Sequence, residues 1–403
     1  MLSWVYLQQL LGYGRSNTRK VLEKLKNPSG IENASREMLL ALGFTENQVK
    51  RHGTELLNYC KDVIAKCNEN YINIIPYNSP KYPKKLKYIY SPAVVLYSVG
   101  RMPDFDKMLS VAVVGPREIS EYGSKTAFSL SARLALCGAT IVSGGARGGD
   151  SYAHQGAMAA GGYTIAVTGG GLLSGYLVKN KSLRHKIIKR GGLLITEFAP
   201  DYVPKDKNSF HLRNRILAGI SDVCAVVEAG ERSGAVITAN HTVDQGKDVF
   251  VIEGNPSMPQ YKGTAKLLED GATPLKIPAD ILKKYPRNVD ISKIHDITPS
   301  KLKELYTLAY NELNWEMPKK TTKKQNKPKV KPVPEKKTDS SAVLDKLYGD
   351  SKKVYSVLTD NGMIADEIVL KTGLSTSAVL CALTKLEIMG HIKKAPGSRY
   401  CIK

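Results

Sequence analysis

Short apolar runs alternate with segments of helical periodicity between Leu109 and Ile252, and this alternation limits the possible folds more than any other feature of the chain. The predicted strands are Leu109 to Val114, Thr140 to Ser143, Tyr163 to Val167, Leu193 to Thr196, Val223 to Val227 and Asp248 to Ile252. Near-continuous apolar strands joined by helices indicate a parallel sheet that is buried on both faces. We therefore expect a doubly wound, Rossmann-like α/β domain over residues 109–285.

The segments between these strands have the spacing of crossover helices. They are Tyr122 to Cys137, Asp150 to Ala160, Lys181 to Lys189 and Gly234 to Gln245. A glycine follows each one, at Gly138, Gly161, Gly191 and Gly246. Glycine at this position is typical of a left-handed helix cap, so the glycines support the predicted helix ends.

Two further segments are predicted before this domain. Apolar residues at helical spacing indicate a small helical module over residues 1–72. Its Gly12-x-Gly14 turn, followed by Arg15, is similar to a helix-hairpin-helix (SAM-like) turn, whose amides bind a phosphate, although an ordinary glycine turn fits these residues equally well. Residues 73–108 contain several prolines and are predicted to be an extended connection.

The chain after residue 285 divides into a basic linker and a small domain. Residues 286–340 are predicted to be the linker, because the segment from Pro318 to Lys337 holds nine Lys and one Glu with few apolar side chains. Residues 341–403 show three short helical segments and a hairpin around Pro396, a winged-helix pattern. The candidate recognition helix carries Lys385 but also Glu387, so duplex binding and a protein-interaction role both remain open.

Charge and cysteine usage indicate the class of partner and the compartment. Lys and Arg number 59 against 37 Asp and Glu, giving a net charge of +22, of which about +14 remains when the basic linker is set aside. Such an excess favours nucleic acid as the partner. The six cysteines form no metal-binding or redox motif, and no signal peptide or apolar span is evident, so we expect a cytoplasmic protein without a metal.

Glycines and polar residues concentrate where the predicted strands end, the edge at which parallel α/β sheets bind ligands. Arg117 follows the first strand, and a glycine-rich block around Arg147 follows the second. Bare backbone amides beside arginine suit an anionic oxygen. Three neighbours have structural alternatives: Asp150 as a helix cap, His154 as a packed helix residue and Glu228 as an acceptor for backbone amides.

Enzyme motifs are missing from these positions. The first strand leads into Gly115-Pro116-Arg117 rather than a dinucleotide-binding G-x-G-x-x-G loop, and the chain has neither a Walker A loop nor a G-x-S-x-G elbow. The sequence therefore predicts neither catalytic residues nor a cofactor.

Four ordered blocks of the central domain resemble the DNA-processing protein A (DprA, also called Smf) family. The blocks are Ser143-Gly144-Gly145-Ala146-Arg147-Gly148-Gly149-Asp150, Phe210 through Arg213-Asn214-Arg215-Ile216, Val227-Glu228-Ala229-Gly230-Glu231-Arg232-Ser233-Gly234, and Gly263 through Glu269-Asp270-Gly271-Ala272. The family pattern is not matched at Pro116, His211, Leu177 and Ala265.

The resemblance implies a protein that binds and protects single-stranded DNA and loads the RecA recombinase during natural transformation, and that forms a homodimer. It also implies a positive phosphate pocket, with Phe210 as a base contact, while leaving Arg213-Asn214-Arg215 an alternative role in holding loops through Glu228 or Glu197. The candidate DNA-binding residues are Arg117, Ser143, Gly144, Ala146, Arg147, Gly148, Lys179, Lys181, Phe210, Arg213, Asn214, Arg215 and Ser233.

Two other functions fit a related fold. One is an enzyme that releases the base from a nucleoside monophosphate, although the P-G-G-x-G-T block typical of such enzymes is replaced here by Ala229-Gly230-Glu231-Arg232-Ser233-Gly234. The other is an adaptor without catalytic activity whose basic charge is incidental.

Overall fold

The structure, a computed structural model, describes residues 1–175, 180–204, 206, 208–313, 347–359, 362–395 and 399–402. The chain divides into two compact units, residues 1–321 and 322–403. Among the described helices, none is both long and apolar enough to cross a membrane. Five of the six cysteines are buried.

The first unit contains a nine-stranded sheet. Its strands are β1 (Asn73–Pro76), β2 (Val95–Gly100), β3 (Ser110–Val114), β4 (Thr140–Ser143), β5 (Thr164–Val167), β6 (Leu193–Thr196), β7 (Val223–Val226), β8 (Val249–Val251) and β9 (Thr273–Pro274). The order across the sheet is β1-β2-β6-β5-β4-β3-β7-β8-β9. Strands β3 to β8 are parallel, as predicted, and β9, which was not predicted, continues the parallel order. Strand β2 runs antiparallel to both of its neighbours.

Helices pack on both faces of this sheet. In chain order they are α1 (Leu2–Leu11), α2 (Thr18–Leu25), α3 (Arg36–Leu42), α4 (Glu46–Val49), α5 (Thr54–Glu69), α6 (Lys84–Lys87), α7 (Glu121–Leu136), α8 (Gly149–Ala159), α9 (Lys181–Lys189), α10 (Asn208–Ile220), α11 (Gly234–Asp244), α12 (Lys262–Glu269), α13 (Ala279–Lys284) and α14 (Pro299–Leu313). Each face of the sheet has its own apolar core, and alternate residues of a strand point to opposite faces. Val111 and Val113 pack with α7 and α8, whereas Ala112 and Val114 pack with α10 and α11. This is the expected doubly wound arrangement.

Residues 73–108, predicted to be an extended connection, contain two strands of the sheet. Strand β2 hydrogen-bonds to β6, and β1 pairs with β2 at the edge of the sheet. The prolines of this segment exclude long helices, but proline is tolerated on an edge strand, and Pro76 is the last residue of β1. The segment therefore extends the sheet by two strands.

The predicted linker also begins too early. Helix α14 and a 3₁₀ helix over Ile291–Asp296 pack on the same core as α7 and α8. The ring of Tyr306 stacks on Phe128 with 4.1 Å between centroids, and its hydroxyl donates to the carbonyl oxygen of Lys125. The lysine-rich stretch from Pro318 to Lys337 lies outside the described residues.

The N-terminal helices form the predicted module, but they share a core with the sheet edge. Val95 and Tyr97 of β2 are fully buried in the same cluster as Tyr6 and Leu10 of α1. The Gly-x-Gly turn does not direct both of its amides outward, since the Gly12 amide donates to the carbonyl oxygen of Gln8 and caps α1. A methyl group on Gly14 would overlap Leu212 of α10. The turn therefore packs closely against the sheet domain.

The second unit has the predicted winged-helix elements. Its helices are α15 (Gly349–Val357), α16 (Ala365–Thr372) and α17 (Thr376–Ile388), and its strands are β10 (Met363–Ile364), β11 (Ile392–Ala395) and β12 (Arg399–Ile402), ordered β10-β12-β11. Gly373 ends α16 with a φ of 67°, and Ser375 caps α17. On α17, Leu380 is exposed together with Lys385 and Glu387, so this helix presents a mixed surface rather than a basic one.

Candidate nucleic-acid interface

A cavity of 640 Å³ opens at the carboxyl edge of the sheet between β3 and β7. The order of strands along the chain reverses at this position, because β4 to β6 lie on one side of β3 and β7 to β9 on the other. Such a switch point leaves the loops after two neighbouring strands apart, which creates a crevice for a ligand. The loop after β3, the loop after β7 and the first turns of α10 and α11 line this switch-point cavity.

Two arginines lie on different loops of the switch-point cavity. Arg117, after β3, is exposed, and its guanidinium lies over the Phe210 ring at 5.1 Å from the centroid. Arg232, after β7, is also exposed. Within the described part of the chain neither arginine takes part in an ion pair. Both cations are therefore available to an anionic ligand, and Arg117 and Phe210 together offer a flat surface on which a base can stack.

Arg213, in contrast, is a structural residue. Its Nη1 donates to the carbonyl oxygens of Gly144 at 2.6 Å and of Val167 at 2.5 Å, and its Nε donates to Asn214 Oδ1 at 2.9 Å. The side chain is buried, although Arg213 is among the residues that line the switch-point cavity. The donors of Arg213 hold the strand ends of β4 and β5 against α10, and a DNA contact by Arg213 stays a prediction.

Arg215 is likewise inaccessible to a ligand. Its guanidinium forms an ion pair with Glu197 at 2.6 Å, with side-chain exposures of 9% and 1%. The loop-holding alternative through Glu197 is therefore the arrangement found, and a DNA contact by Arg215 stays a prediction. Glu228 has a different partner: it accepts from the amide of Ser120 at 3.1 Å and from its hydroxyl at 2.5 Å, which fixes the loop that carries Arg117.

The buried titratable groups near the site are also structural. Burial raises the pKa of Asp150, opposed by the charge of Arg213, and the carboxylate accepts from the Ala146 amide at 3.3 Å. Burial lowers the pKa of His154 to about 3, and its Nδ1 lies 2.7 Å from Thr164 Oγ1. His154 is therefore the packed, neutral helix residue of the structural alternative.

The glycine-rich block after β4 works through close packing. A methyl group on Gly144 would overlap the Arg213 guanidinium, and one on Gly148, whose φ is 80°, would overlap the carbonyl oxygen of Pro116. Ser143 is buried and donates to the carbonyl oxygen of Val113 at 2.7 Å. Among the predicted DNA contacts in this block, Ala146 lines the switch-point cavity. Asp150, which was not a predicted contact, lines it as well.

Two predicted cations lie beside the switch-point cavity rather than in its lining. Arg147 is exposed in the turn before α8, and Lys181 is exposed in the first turn of α9. Asn180, which precedes Lys181, donates to the Gly145 carbonyl oxygen at 3.1 Å, so α9 begins next to the glycine-rich block. Lys179 lies outside the described residues.

The remaining predicted residues line the switch-point cavity where α10 and α11 begin. Ser233 caps α11 by accepting from the Ala235 amide at 3.2 Å, and Asn214 donates to the Gly234 carbonyl oxygen at 3.3 Å. The sequence prediction missed Arg232, His211 and Gln260, which also line it. Only Arg232 had a usable signal, as a basic residue between two glycine-containing turns.

The family of the chain follows from its sequence over the sheet domain. A sequence model of the family described as DNA recombination-mediator protein A matches residues 73–286, more than half of the chain. The chain belongs to this DprA family. A second model, the DprA winged helix domain, matches residues 334–398. The first match begins at β1, in agreement with the two additional edge strands.

Individual members of the DprA family are also similar to this chain in sequence and structure. The DNA processing protein DprA of Bacillus subtilis is 36% identical over 232 residues, 57% of this chain and 77% of that protein. Protein Smf of Synechocystis is 31% identical over 328 residues, 80% of this chain and 78% of that protein. The X-ray structure of DprA from Streptococcus pneumoniae is 31% identical, covers 69% of this chain and 95% of its own, and superposes with a TM-score of 0.58.

Proposed function

We propose that this DprA-family chain binds single-stranded DNA in the switch-point cavity. The observation that carries the proposal is the pair of exposed arginines, Arg117 and Arg232, on two loops that face one cavity without an ion-pair partner among the described residues. Phosphates supply the anionic oxygens that such arginines recognise. The first turns of α10 and α11 add the positive ends of two helix dipoles.

The shape of the switch-point cavity favours an unpaired strand. Sequence-specific duplex readers insert a protruding helix or ribbon into a groove, whereas this site is concave and its aromatic ring, Phe210, lies in the lining. A single strand can turn its bases inward and stack one of them on the Arg117–Phe210 pair. The predicted binding is therefore dominated by phosphates and tolerant of sequence.

Two acidic residues restrict where the backbone can pass. Glu118 and Glu231 are exposed and line the same cavity as the arginines next to them in sequence. Because like charges repel, we expect phosphates at the Arg117 and Arg232 side chains rather than beside these two carboxylates.

The proposal extends to the role of the bound strand. We infer that the protein protects single strands and loads the RecA recombinase during natural transformation, acts in the cytoplasm as a homodimer, and works by binding rather than by catalysis. The family description as a recombination mediator supports this role. A shortened lag in RecA filament growth on single-stranded DNA would support loading, and an unchanged lag would contradict it.

Binding is tested by fluorescence anisotropy with labelled oligo-dT and a duplex of equal length. Arg117→Ala and Arg232→Ala should each weaken binding to the single strand by about five- to tenfold, the loss expected for one charge-assisted contact. Lys283→Ala is the matched control, because Lys283 is exposed and lies outside the cavity lining. Equal affinity for duplex, or no effect of either arginine, would overturn the proposal.

A further inference from the structure

A second basic surface lies next to the switch-point cavity. It consists of Arg15 in the turn between α1 and α2, Arg51 after α4, and Tyr88 and Tyr90 between α6 and β2; we call it the hairpin patch. The proposed binding of DNA in the switch-point cavity does not use these residues. They join basic and aromatic side chains, the combination by which proteins hold single strands without reading sequence.

The two arginines of the hairpin patch lie side by side. A methyl group on Gly12 would come within 3.3 Å of Arg15 Nε and 3.7 Å of an Arg51 terminal nitrogen, so both guanidiniums cover the same glycine. Both side chains are exposed, and neither is ion-paired within the described residues. One terminal nitrogen of Arg51 donates to the carbonyl oxygen of Leu10, which leaves its other guanidinium N–H groups for a ligand. Partial burial and then the charge of Arg15 lower the pKa of Arg51. Two adjacent cations without a carboxylate suit a phosphate, which relieves their repulsion.

The tyrosines of the hairpin patch are unusually exposed for aromatic residues. Tyr88 is 81% and Tyr90 is 75% exposed, although Ile89 between them is buried. The backbone that carries them is fixed, because Arg19 donates to the Ile89 carbonyl oxygen at 2.6 Å and Ser91 donates to the Arg15 carbonyl oxygen at 2.9 Å. Two rings on a fixed backbone can stack on bases with little loss of backbone freedom.

The hairpin patch adjoins the switch-point cavity through a direct contact. Gly14, next to Arg15, packs against Leu212 of α10, and the residue before Leu212, His211, lines the cavity. Gly14 and Arg15 therefore lie beside the helix that carries His211, and the hydrogen bond from Ser91 to Arg15 places the segment of Tyr90 next to Arg15. Glu23 is the exposed acid of α2, whereas Arg19, Lys20, Lys24 and Lys26 give the same region a positive balance.

We propose that the hairpin patch is a second contact for the same single strand, which leaves the switch-point cavity past His211, places a phosphate on Arg15 and Arg51, and stacks bases on Tyr88 and Tyr90. This inference rests on the proposed binding in the cavity. In this proposal the arginine side chains beside the Gly-x-Gly turn contact the DNA. The Gly12 amide does not, because it already caps α1.

The length of the oligonucleotide separates the two contacts. Oligo-dT of about 6 nucleotides can occupy the cavity alone, and about 20 nucleotides can reach both contacts. The full-length Arg15→Ala/Arg51→Ala protein should bind the short strand like the wild type and the long strand on the order of fivefold more weakly. Its log–log salt slope on the long strand should fall in magnitude by about 0.7, the value for the one phosphate held by Arg15 and Arg51.

Controls keep this test decisive. Lys61→Ala/Lys283→Ala removes the same charge from exposed positions outside the patch and should leave both affinities unchanged. Tyr88→Ala/Tyr90→Ala removes no charge. It should lower the affinity for the long strand, leave the affinity for the short strand unchanged, and keep the salt slope of the wild type. Equal long-strand affinity for wild type and both patch variants, with melting temperatures preserved, would overturn the second contact. If the wild-type protein did not bind the short strand at all, the proposed function itself would be overturned.

Discussion

Arg215 and Glu197 form an ion pair that is almost completely enclosed, with 2.6 Å between nitrogen and oxygen. The Glu197 Oε1 and the Arg215 Nε and Nη1 have no hydrogen-bond partner among the described residues. Two charges have therefore been removed from water with only part of their hydrogen-bonding capacity satisfied, so the pair depends on its own mutual attraction.

Removing one member of this pair should be more harmful than removing both. Arg215→Leu leaves a buried carboxylate without its cation and should lower the free energy of unfolding by about 3–5 kcal/mol, whereas Arg215→Leu/Glu197→Leu should lose clearly less. Urea unfolding of the two single variants and the double variant measures the coupling. Additive losses would show that the two side chains do not stabilise each other.

Stability should fall in acid because of His154. Its pKa is lowered to about 3 by burial and by the charge of Arg213, against about 6.5 in an unfolded chain. Between these values the unfolded state binds the extra proton, so this stabilising contribution is complete above pH 6.5 and is lost as the pH falls toward 3. From pH 7 to pH 5 the loss from this group is about 2 kcal/mol.

His154→Asn isolates that contribution, because an amide nitrogen can replace the donor toward Thr164 but does not titrate. The variant should be less stable than the wild type at pH 7, yet its unfolding free energy should change less between pH 7 and pH 5. If urea unfolding gave the wild type and His154→Asn the same change in unfolding free energy between pH 7 and pH 5, groups other than His154 would cause the acid sensitivity.

Gly148 should tolerate no side chain, unlike another glycine of similar backbone conformation. Gly148→Ala combines a positive φ with overlap on Pro116, while Gly161→Ala, at φ 71°, meets nothing within 4 Å. The control should cost about 1–2 kcal/mol from backbone strain, and Gly148→Ala clearly more. Thermal unfolding compares them; similar losses would mean that the loop carrying Arg117 adapts freely.

Arg147 should contribute charge without sequence preference. Binding of single strands with about four phosphate contacts gives a log–log salt slope near −3, and Arg147→Ala should reduce its magnitude by about 0.7 for oligo-dT and mixed sequences alike. Anisotropy titrations at several salt concentrations measure the slope. A loss confined to one sequence would indicate that Arg147 reads a base.

The sequence did not predict β9, but it predicted strands β3 to β8 and the helices after β3, β4, β5 and β7 to within one or two residues. The reason is local: apolar runs define those strands, and Gly138, Gly161, Gly191 and Gly246 all have the positive φ expected of helix caps. The winged-helix elements were predicted for the same reason. Strands β1 and β2 were missed because β2 pairs with β6, which is remote in sequence, and because the prolines of this segment resemble those of a connection.

The candidate site was predicted in position but only partly in residues. Arg117 and Arg213 both line the switch-point cavity, yet Arg117 is exposed and Arg213 is buried. The partners of Arg213 are backbone carbonyl oxygens at the ends of β4 and β5, which no side-chain pattern reveals. The accessibility of an arginine is therefore a property of the assembled fold.

Strand β1 begins four residues after α5 ends, and the apolar side chains of β2 lie beneath the N-terminal helices. A recombinant fragment starting at residue 73 would contain the whole region matched by the DNA recombination-mediator model, yet it would expose Val95 and Tyr97 to water along an unprotected sheet margin. Expression of the sheet domain as an isolated piece would consequently favour aggregation, and the smallest stable version of this protein should retain its first helix.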